Sequence, residues 1–339
     1  MRLLLISPLA VPINDKTKYS GIERLVWTHA QEFIAQGHQV GVWGHTDSVF
    51  PEGVTLYSAS AATYDQAEYQ CYRLHQASLR QYDAIIDFSH LHLASRMIDN
   101  LPSLNIIWHA PALAKYPKAP YNIICPSNWG VREFKRVYGQ DARALRVIAI
   151  DAAEYHPNGD RGDRFFCIGR NDPEKGNLNA IMVCKKAGVP LDIIAARGMQ
   201  HGDAPLTEYE QAVMDNCDGK TIRFLGDLGA AEKIKVMQQA RGLVYITEHP
   251  EITSHKDQEA MMCGTPAVVT AIGAAGEIVE EDVNGNLIRN ERDVMTALKT
   301  FGDKDWSRCS ATTTATWRKE EIIKTWLPLL QEVAQGLRW

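Results

Sequence analysis

Short apolar runs along this chain alternate with longer stretches in which apolar positions recur every three to four residues, the mark of strands alternating with helices. Residues 3–7 read as a buried strand. Residues 21–36 carry helical periodicity through Ile22, Leu25, Val26, Ala30, Phe33 and Ile34, and after a turn at Gly37-His38 residues 39–44 read as a second strand. That βαβ order predicts a parallel sheet flanked by helices. Further strands are expected at 84–87, 105–108 and 123–126, with a helix over 128–138. A second series follows: strands at 165–168, 191–195, 221–224, 243–246 and 267–269, and helices at 177–187 and 230–240. The polar segment 151–159, with Pro157 and Gly159 close together, suits a domain boundary. An amphipathic helix over about 317–333 closes the chain.

Length and composition sharpen this outline. At 339 residues the chain exceeds one ordinary core, and about 150 residues per domain predicts two. We expect an N-terminal domain over 1–150, a C-terminal domain over 151–315, and a helical segment 316–339 returning to the first domain. The net charge of -5 argues against nucleic acid as an obligatory partner. Residues 1–150 hold 14 Lys+Arg against 12 Asp+Glu (+2), and residues 151–339 hold 22 against 29 (-7), so the first half better suits an anionic acceptor or surface. Seven scattered cysteines without a C-x-x-C pair predict neither a disulfide framework nor a zinc site, and a reducing cytoplasmic setting is the simplest expectation. The apolar run at the N-terminus is too short for a signal-peptide core or a membrane span.

The most informative stretch is Glu251 to Glu259, two carboxylates with seven residues between them at the start of a short helix. Thr253 and Ser254 are good N-cap residues and Gly264 a good stop. At about 1.5 Å per residue the carboxylates lie roughly 10 Å apart, with exposed helix N–H groups between them. That arrangement suits a nucleotide sugar: hydroxyls at both ends and phosphates over a helix N-terminus. Paired glutamates on a helix are more often simply solvated, but here Cys263 to Pro266 and Gly273 to Glu277 add small residues nearby. Gly169 to Gly176, directly after the strand 165–168, has the topology of a phosphate loop, with Arg170 and Lys175 able to face one anion. A surface turn with two solvated cations is the plainer alternative.

Together these segments resemble the family 4 glycosyltransferases. Gly169-Arg170 with Lys175-Gly176 is similar to the family's phosphate loop, and Arg223-Phe224-Leu225-Gly226 to its F-L-G turn. Glu251 to Glu259 resembles its E-x7-E motif, and Gly273 with Glu277 and Asn284 to Leu287 follow in order. Ser20-Gly21-Ile22-Glu23-Arg24 resembles its first Gly-rich loop. The resemblance implies an α/β GT-B fold, two Rossmann-like doubly wound domains facing each other across a cleft, and a retaining hexosyl transfer from a nucleotide diphosphate sugar to a glycan, lipid or small-molecule acceptor. It implies an acceptor side on residues 1–150, a nucleotide-sugar donor side on residues 151–315, no metal and no cofactor. Arg170 and Lys175 would bind the donor pyrophosphate, Glu251 would orient sugar hydroxyls and Glu259 would hold the ribose. Gly21, Leu225, Ile252, Thr253 and Ser254 complete the implied donor site, and His109 matches a histidine that faces sugar or acceptor. The family usually has Gly-Phe-Gly where this chain has Ile252-Thr253-Ser254. Alternative readings are an epimerase or hydrolase of the same fold and a non-catalytic sugar-nucleotide-binding protein.

Other constellations point less far. Asp303-Lys304-Asp305 is a D-x-D pattern in an expected loop, better read as a solvated turn than as a metal site. His90 and His92 lack a third ligand. Trp129, Phe134 and Tyr138 interleave with Arg132, Lys135 and Arg136, which would allow peripheral contact with an anionic membrane but fits packing on the protein's own sheet better.

Overall fold

The computed structural model describes residues 1–9, 11–14, 21–111, 120–197 and 205–339. In chain order the first elements are β1 (Arg2–Ile6), α1 (Ile22–Ala35), β2 (Gln39–His45), β3 (Val54–Ala59), α2 (Tyr64–His75), β4 (Ala84–Asp87) and α3 (Leu93–Met97). Then come β5 (Ser103–Ile106), β6 (Ile123–Cys125), α4 (Asn128–Tyr138) and β7 (Arg143–Ala144). The second series is β8 (Phe165–Arg170), α5 (Asn177–Ala187), β9 (Leu191–Ala196), α6 (Glu208–Asp215), β10 (Ile222–Gly226), α7 (Ala230–Gln239) and β11 (Gly242–Tyr245). It continues through α8 (His255–Met262), β12 (Ala267–Thr270), α9 (Ala275–Ile278), β13 (Gly285–Ile288), α10 (Glu291–Thr300) and α11 (Cys309–Trp317), and α12 (Lys319–Ala334) ends the chain.

Two compact units result: residues 1–151 with 317–339, and residues 152–316. Among the described residues the first unit has a parallel sheet in the order β3-β2-β1-β4-β5-β6-β7, and the second a parallel sheet in the order β10-β9-β8-β11-β12-β13. Each is doubly wound. In each, the strand order reverses beside the first strand of the series, between β1 and β4 and between β8 and β11, which opens a crevice at the carboxyl ends of those strands. The central strands are apolar on both faces, as sheets covered by helices require: Leu3, Leu4 and Leu5 in β1 and Phe165 and Phe166 in β8 are fully buried.

Several limits differ from expectation. The strand expected at 105–108 begins at Ser103, because its polar Ser103 and Asn105 are buried, with Asn105 bonded to Ser95, Ser103 and the Tyr121 carbonyl. Strand β8 runs on through Gly169 and Arg170, which pair with Ala195 and Ala196, so Arg170 belongs to the strand rather than to the loop. The closing helix is two helices. Arg318 is extended and bridges to Ile150, which splits α11 from α12. Within its unit α12 buries Ile322, Ile323, Trp326, Leu330 and Val333, with Trp326 stacked on Phe88 at 6.1 Å. Helix α4 buries Phe134, and Arg136 and Lys135 pair with Glu133 and Asp141. No helix among the described residues is long and apolar enough to cross a membrane.

Candidate functional site

At the reversal of the second sheet, β8 delivers Arg170 and β11 delivers Tyr245, and the loops beyond them meet. A short 3-10 turn, residues 173–175, follows β8 and ends at Gly176. Gly176 has φ +64°, and a Cβ there would stand 2.0 Å from the Ile246 carbonyl oxygen, so only glycine lets this turn lie against the chain leaving β11. Thr247 Oγ1 donates to the Glu174 carbonyl at 2.6 Å. On the other side Gly273, with φ +60°, would place a Cβ 2.4 Å from the Glu251 carbonyl oxygen, while Ala274 N–H donates to that same oxygen at 2.9 Å. The segment carrying Glu251 is thereby clamped from both flanks.

The Glu251 carboxylate is the hub of this site. Its Oε1 accepts from Lys175 Nζ at 2.5 Å and from the Tyr245 hydroxyl at 2.7 Å, and its Oε2 accepts from Lys256 Nζ at 3.1 Å. The Lys256 ammonium also lies 3.4 Å over the Tyr245 ring. Burial alone would lift the Glu251 carboxyl, but Lys256, then Lys175, and the hydrogen bonds from Lys175 and Tyr245 hold it well below the usual carboxylate range. Its side chain keeps 21% of its exposure, so it remains open to a small polar ligand. Next to it, burial pushes Asp257 up to about 6 and His255 down to about 4. Asp257 Oδ1 has no hydrogen-bond partner and lines a pocket with Tyr245, Glu251, Ser254 and Thr270.

Within the second unit the structure brings Lys175, Glu251, Thr253 and Ser254 together. Arg170 Nε and Nη2 engage Asp172 and Glu174 at 3.1 and 2.8 Å, so Arg170 and Lys175 face different carboxylates rather than one shared group. Ile252 is buried, Thr253 is half-buried, and Ser254 stands at the N-cap of α8 without capping it, its Oγ accepting from Lys256 Nζ at 3.0 Å. Glu259 lies half-buried within α8. Leu225 sits at the bulge where β10 slips register against β9, at the sheet edge three strands from β11. Gly21 is the N-cap of α1 with φ -89°, and an added Cβ there meets nothing within 4 Å. Ser20 lies outside the described residues. The second half of the D-x-D pattern is split between separate partners, Lys304 on Asp282 and Asp305 on the Ser307 N–H.

The first unit's reversal holds different chemistry. Asp87 ends β4, and His92 Nδ1 lies 3.5 Å from its Oδ1. Glu68 from α2 accepts from Leu91 N–H and Leu93 N–H, each at 3.0 Å, and from Ser89 Oγ at 2.9 Å. Burial, then the Asp87 charge, pushes Glu68 up to about 7. His90, held down to about 4 by burial, stacks on His109 with ring centroids 5.6 Å apart, and His109 is exposed. No group of three or more metal-ligating side chains occurs among the described residues.

Tyr245, Lys256 and Asp257 were not legible as site residues. Tyr245 reads as the end of a buried strand. Lys256 and Asp257 read as polar residues of a helix start, and the one available signal, a lysine five residues after Glu251, falls outside the helical spacing that usually flags an ion pair.

Residues 162–301 match the family model described as glycosyl transferases group 1. Among curated proteins none matches in sequence. Solved structures share the fold along the whole chain. AviGT4, a glycosyltransferase involved in avilamycin A biosynthesis, is 18% identical over 100% of this chain and 99% of its own, with a TM-score of 0.77. Anabaena HepE, in a complex with UDP-glucose, is 15% identical over 99% of this chain and 100% of its own, with a TM-score of 0.72. Sucrose-phosphate synthase of Thermosynechococcus elongatus is 16% identical over 98% and 97%, with a TM-score of 0.68. Residues 162–301 thus match a group 1 glycosyltransferase domain, and the chain as a whole shares the GT-B fold of these solved structures.

Proposed function

We propose that this protein is a glycosyltransferase that moves a hexose from a nucleoside diphosphate donor to its acceptor with retention of anomeric configuration. The observation that carries this reading is Glu251, an ionised, largely buried carboxylate between two lysines at the reversal of the second sheet. Such a group accepts sugar hydroxyls. Lys175 is the nearest cation for the donor diphosphate, and Arg170 joins it by exchanging Asp172 and Glu174 for phosphate oxygens. Glu259 is assigned to the ribose, with Gly21, Leu225, Ile252 and Thr253 as further donor contacts. The HepE complexes with UDP and UDP-glucose support a uridine nucleotide as the first donor to try.

In this reading the acceptor oxygen attacks the anomeric carbon on the face the diphosphate leaves. The bond from that carbon to the phosphate oxygen breaks, and the departing phosphate oxygen takes the acceptor's proton, giving glycoside and free nucleoside diphosphate. Glu251 accepts from a sugar hydroxyl and supports positive charge on the ring; it forms no bond to carbon. Lys175 and Arg170 meet the charge that builds on the diphosphate, so the transfer uses no metal ion or other cofactor. The first unit, with its charge of +2 over residues 1–150, is assigned to the acceptor, with His109 as its residue nearest in role to the sugar. Proton NMR of the sugar first released from UDP-α-glucose, with water or an added acceptor, tests the stereochemistry. The α-anomer should appear first, at a rate that EDTA leaves unchanged; the β-anomer would sink the retaining mechanism.

A further inference from the structure

Glu251 has less free capacity than an isolated carboxylate. A carboxylate offers about four lone-pair positions. Lys175 and Tyr245 fill both on Oε1, and Lys256 fills one on Oε2, so a single position remains, on Oε2. Lys256 is therefore in contact with the same oxygen that stays available to a ligand.

Lys256 itself is tied on three sides. Its Nζ donates to Glu251 Oε2 at 3.1 Å and to Ser254 Oγ at 3.0 Å, and it caps the Tyr245 ring at 3.4 Å, with 13% of its side chain exposed. Tyr245 completes the loop by donating its hydroxyl to Glu251. The Ser254 hydroxyl makes no capping bond to α8; it accepts from the lysine and also engages the Asp257 side chain. Between these anchors lie Ile252, a buried residue, and Thr253, and no residue from 251 to 254 takes positive φ. A segment without glycine holds its course here because burial fixes one end and Lys256 the other.

We propose that Lys256 is a positioning residue of the donor site, one that fixes Glu251 with one acceptor position for one sugar hydroxyl and, through Ser254, sets the backbone of residues 252–254 beside it. This assignment rests on the reading of Glu251 as the sugar-binding carboxylate. The groups facing Glu251 are Lys175 from the turn after β8, Tyr245 from β11, and His255, Lys256 and Asp257 from α8. Without Lys256, burial is opposed mainly by Lys175, and the Glu251 carboxyl rises. A protonated Glu251 accepts hydroxyls less well, so sugar recognition is lost from the acid side first.

The test uses the full chain, with UDP and UDP-glucose titrated calorimetrically between pH 5 and 8 into wild type, Lys256→Met, Lys256→Gln and Lys256→Arg. Lys256→Met and Lys256→Gln should keep the UDP Kd within about twofold and weaken UDP-glucose by about tenfold or more, and their UDP-glucose affinity should fall further from pH 8 to pH 5 while wild type, with Glu251 ionised throughout, shows no such fall. Lys256→Arg, which keeps the charge, should recover most of both. Equal weakening of UDP and UDP-glucose, a pH dependence of UDP-glucose binding in the neutral variants that matches wild type, or failure of both neutral variants to fold would each reduce Lys256 to a structural role and overturn the proposal. A wild type that binds neither ligand would instead sink the donor reading on which it rests.

Discussion

The two sheets reverse strand order at equivalent places, yet the side chains gathered there differ in kind. In the second unit the crevice beside β8 and β11 holds two lysines against one carboxylate, with tyrosine and backbone closing around them. In the first, the crevice beside β1 and β4 holds Asp87 and Glu68 with His90 and His92 close by, and His109 stacked on His90. Topology fixes where a ligand can reach backbone and side chains at once. The residues then decide what it can be: permanent positive charge suits a diphosphate ester, whereas a carboxyl raised to about 7, as Glu68 is, suits proton handling.

The largest effect that follows from the contrast is at Lys175. Lys175→Met leaves Glu251 bonded to Lys256 and Tyr245, so the hub keeps its shape while the cation assigned to the leaving diphosphate disappears. Removal of one preorganised contact of this type costs about 10²- to 10³-fold in rate, roughly 3–4 kcal/mol. We expect that loss in kcat/KM for UDP-glucose, measured as UDP release, with folding intact by circular dichroism. An equal loss from His92→Asn in the first crevice would erase the distinction between a charged donor site and a titratable one.

The second effect concerns pH. Glu68 is raised from an unfolded value of 4.5 to about 7 in the fold. An acid whose folded pKa is raised contributes stability that is fully present below its unfolded pKa and is lost as pH rises through the folded one. Between about pH 4.5 and pH 7 this amounts to roughly 3 kcal/mol for a residue as buried as Glu68. Urea unfolding at pH 5 and pH 8 should show Glu68→Gln with a flatter pH dependence than wild type, because the glutamine stays neutral throughout. No comparable term comes from Glu251, whose pKa is lowered and whose stabilising charge is therefore retained over this range. Matching slopes in wild type and Glu68→Gln would assign the pH response elsewhere.

The same contrast explains what could be read in the sequence. Helices α4 and α5 match expectation at both ends because their boundaries are written locally: Ser127 caps the Gly130 N–H, and Gly139 and Gly188 take left-handed φ at the exits. The parallel, doubly wound architecture follows from apolar runs such as Leu3 to Ile6 and Phe165 to Ile168. Strand β3 and helix α2 gave no signal, since β3 is mostly half-buried and α2 buries only Ala67, Glu68 and Cys71, one of them charged. In the site, Lys175 stands out as a cation directly before a glycine that the fold needs at 176, and Glu251 through its spacing to Glu259. Tyr245 and Lys256 do not, because their role arises from packing around Glu251 in three dimensions. Arg170 shows the converse: its place after an apolar strand is legible, but its partners, Asp172 and Glu174, come from the turn's own geometry.

The smallest effect separates two glycines that look alike in sequence, one from each unit. Gly273 has φ +60° and would drive a Cβ to 2.4 Å from the Glu251 carbonyl oxygen, so its replacement forces backbone apart. Gly21 has φ -89° at the start of α1 and open space around a Cβ, so Gly21→Ala carries no clash. Alanine is a slightly poorer N-cap than glycine, but it restricts the unfolded chain, and these terms nearly cancel. The expected change in unfolding free energy is therefore under about 0.5 kcal/mol. If Gly21 contributes open backbone to a donor phosphate, the same variant should weaken UDP binding measurably while its melting temperature stays put. A melting temperature that falls together with UDP affinity would make Gly21 a structural glycine like Gly273, and unchanged affinity would remove it from the donor site.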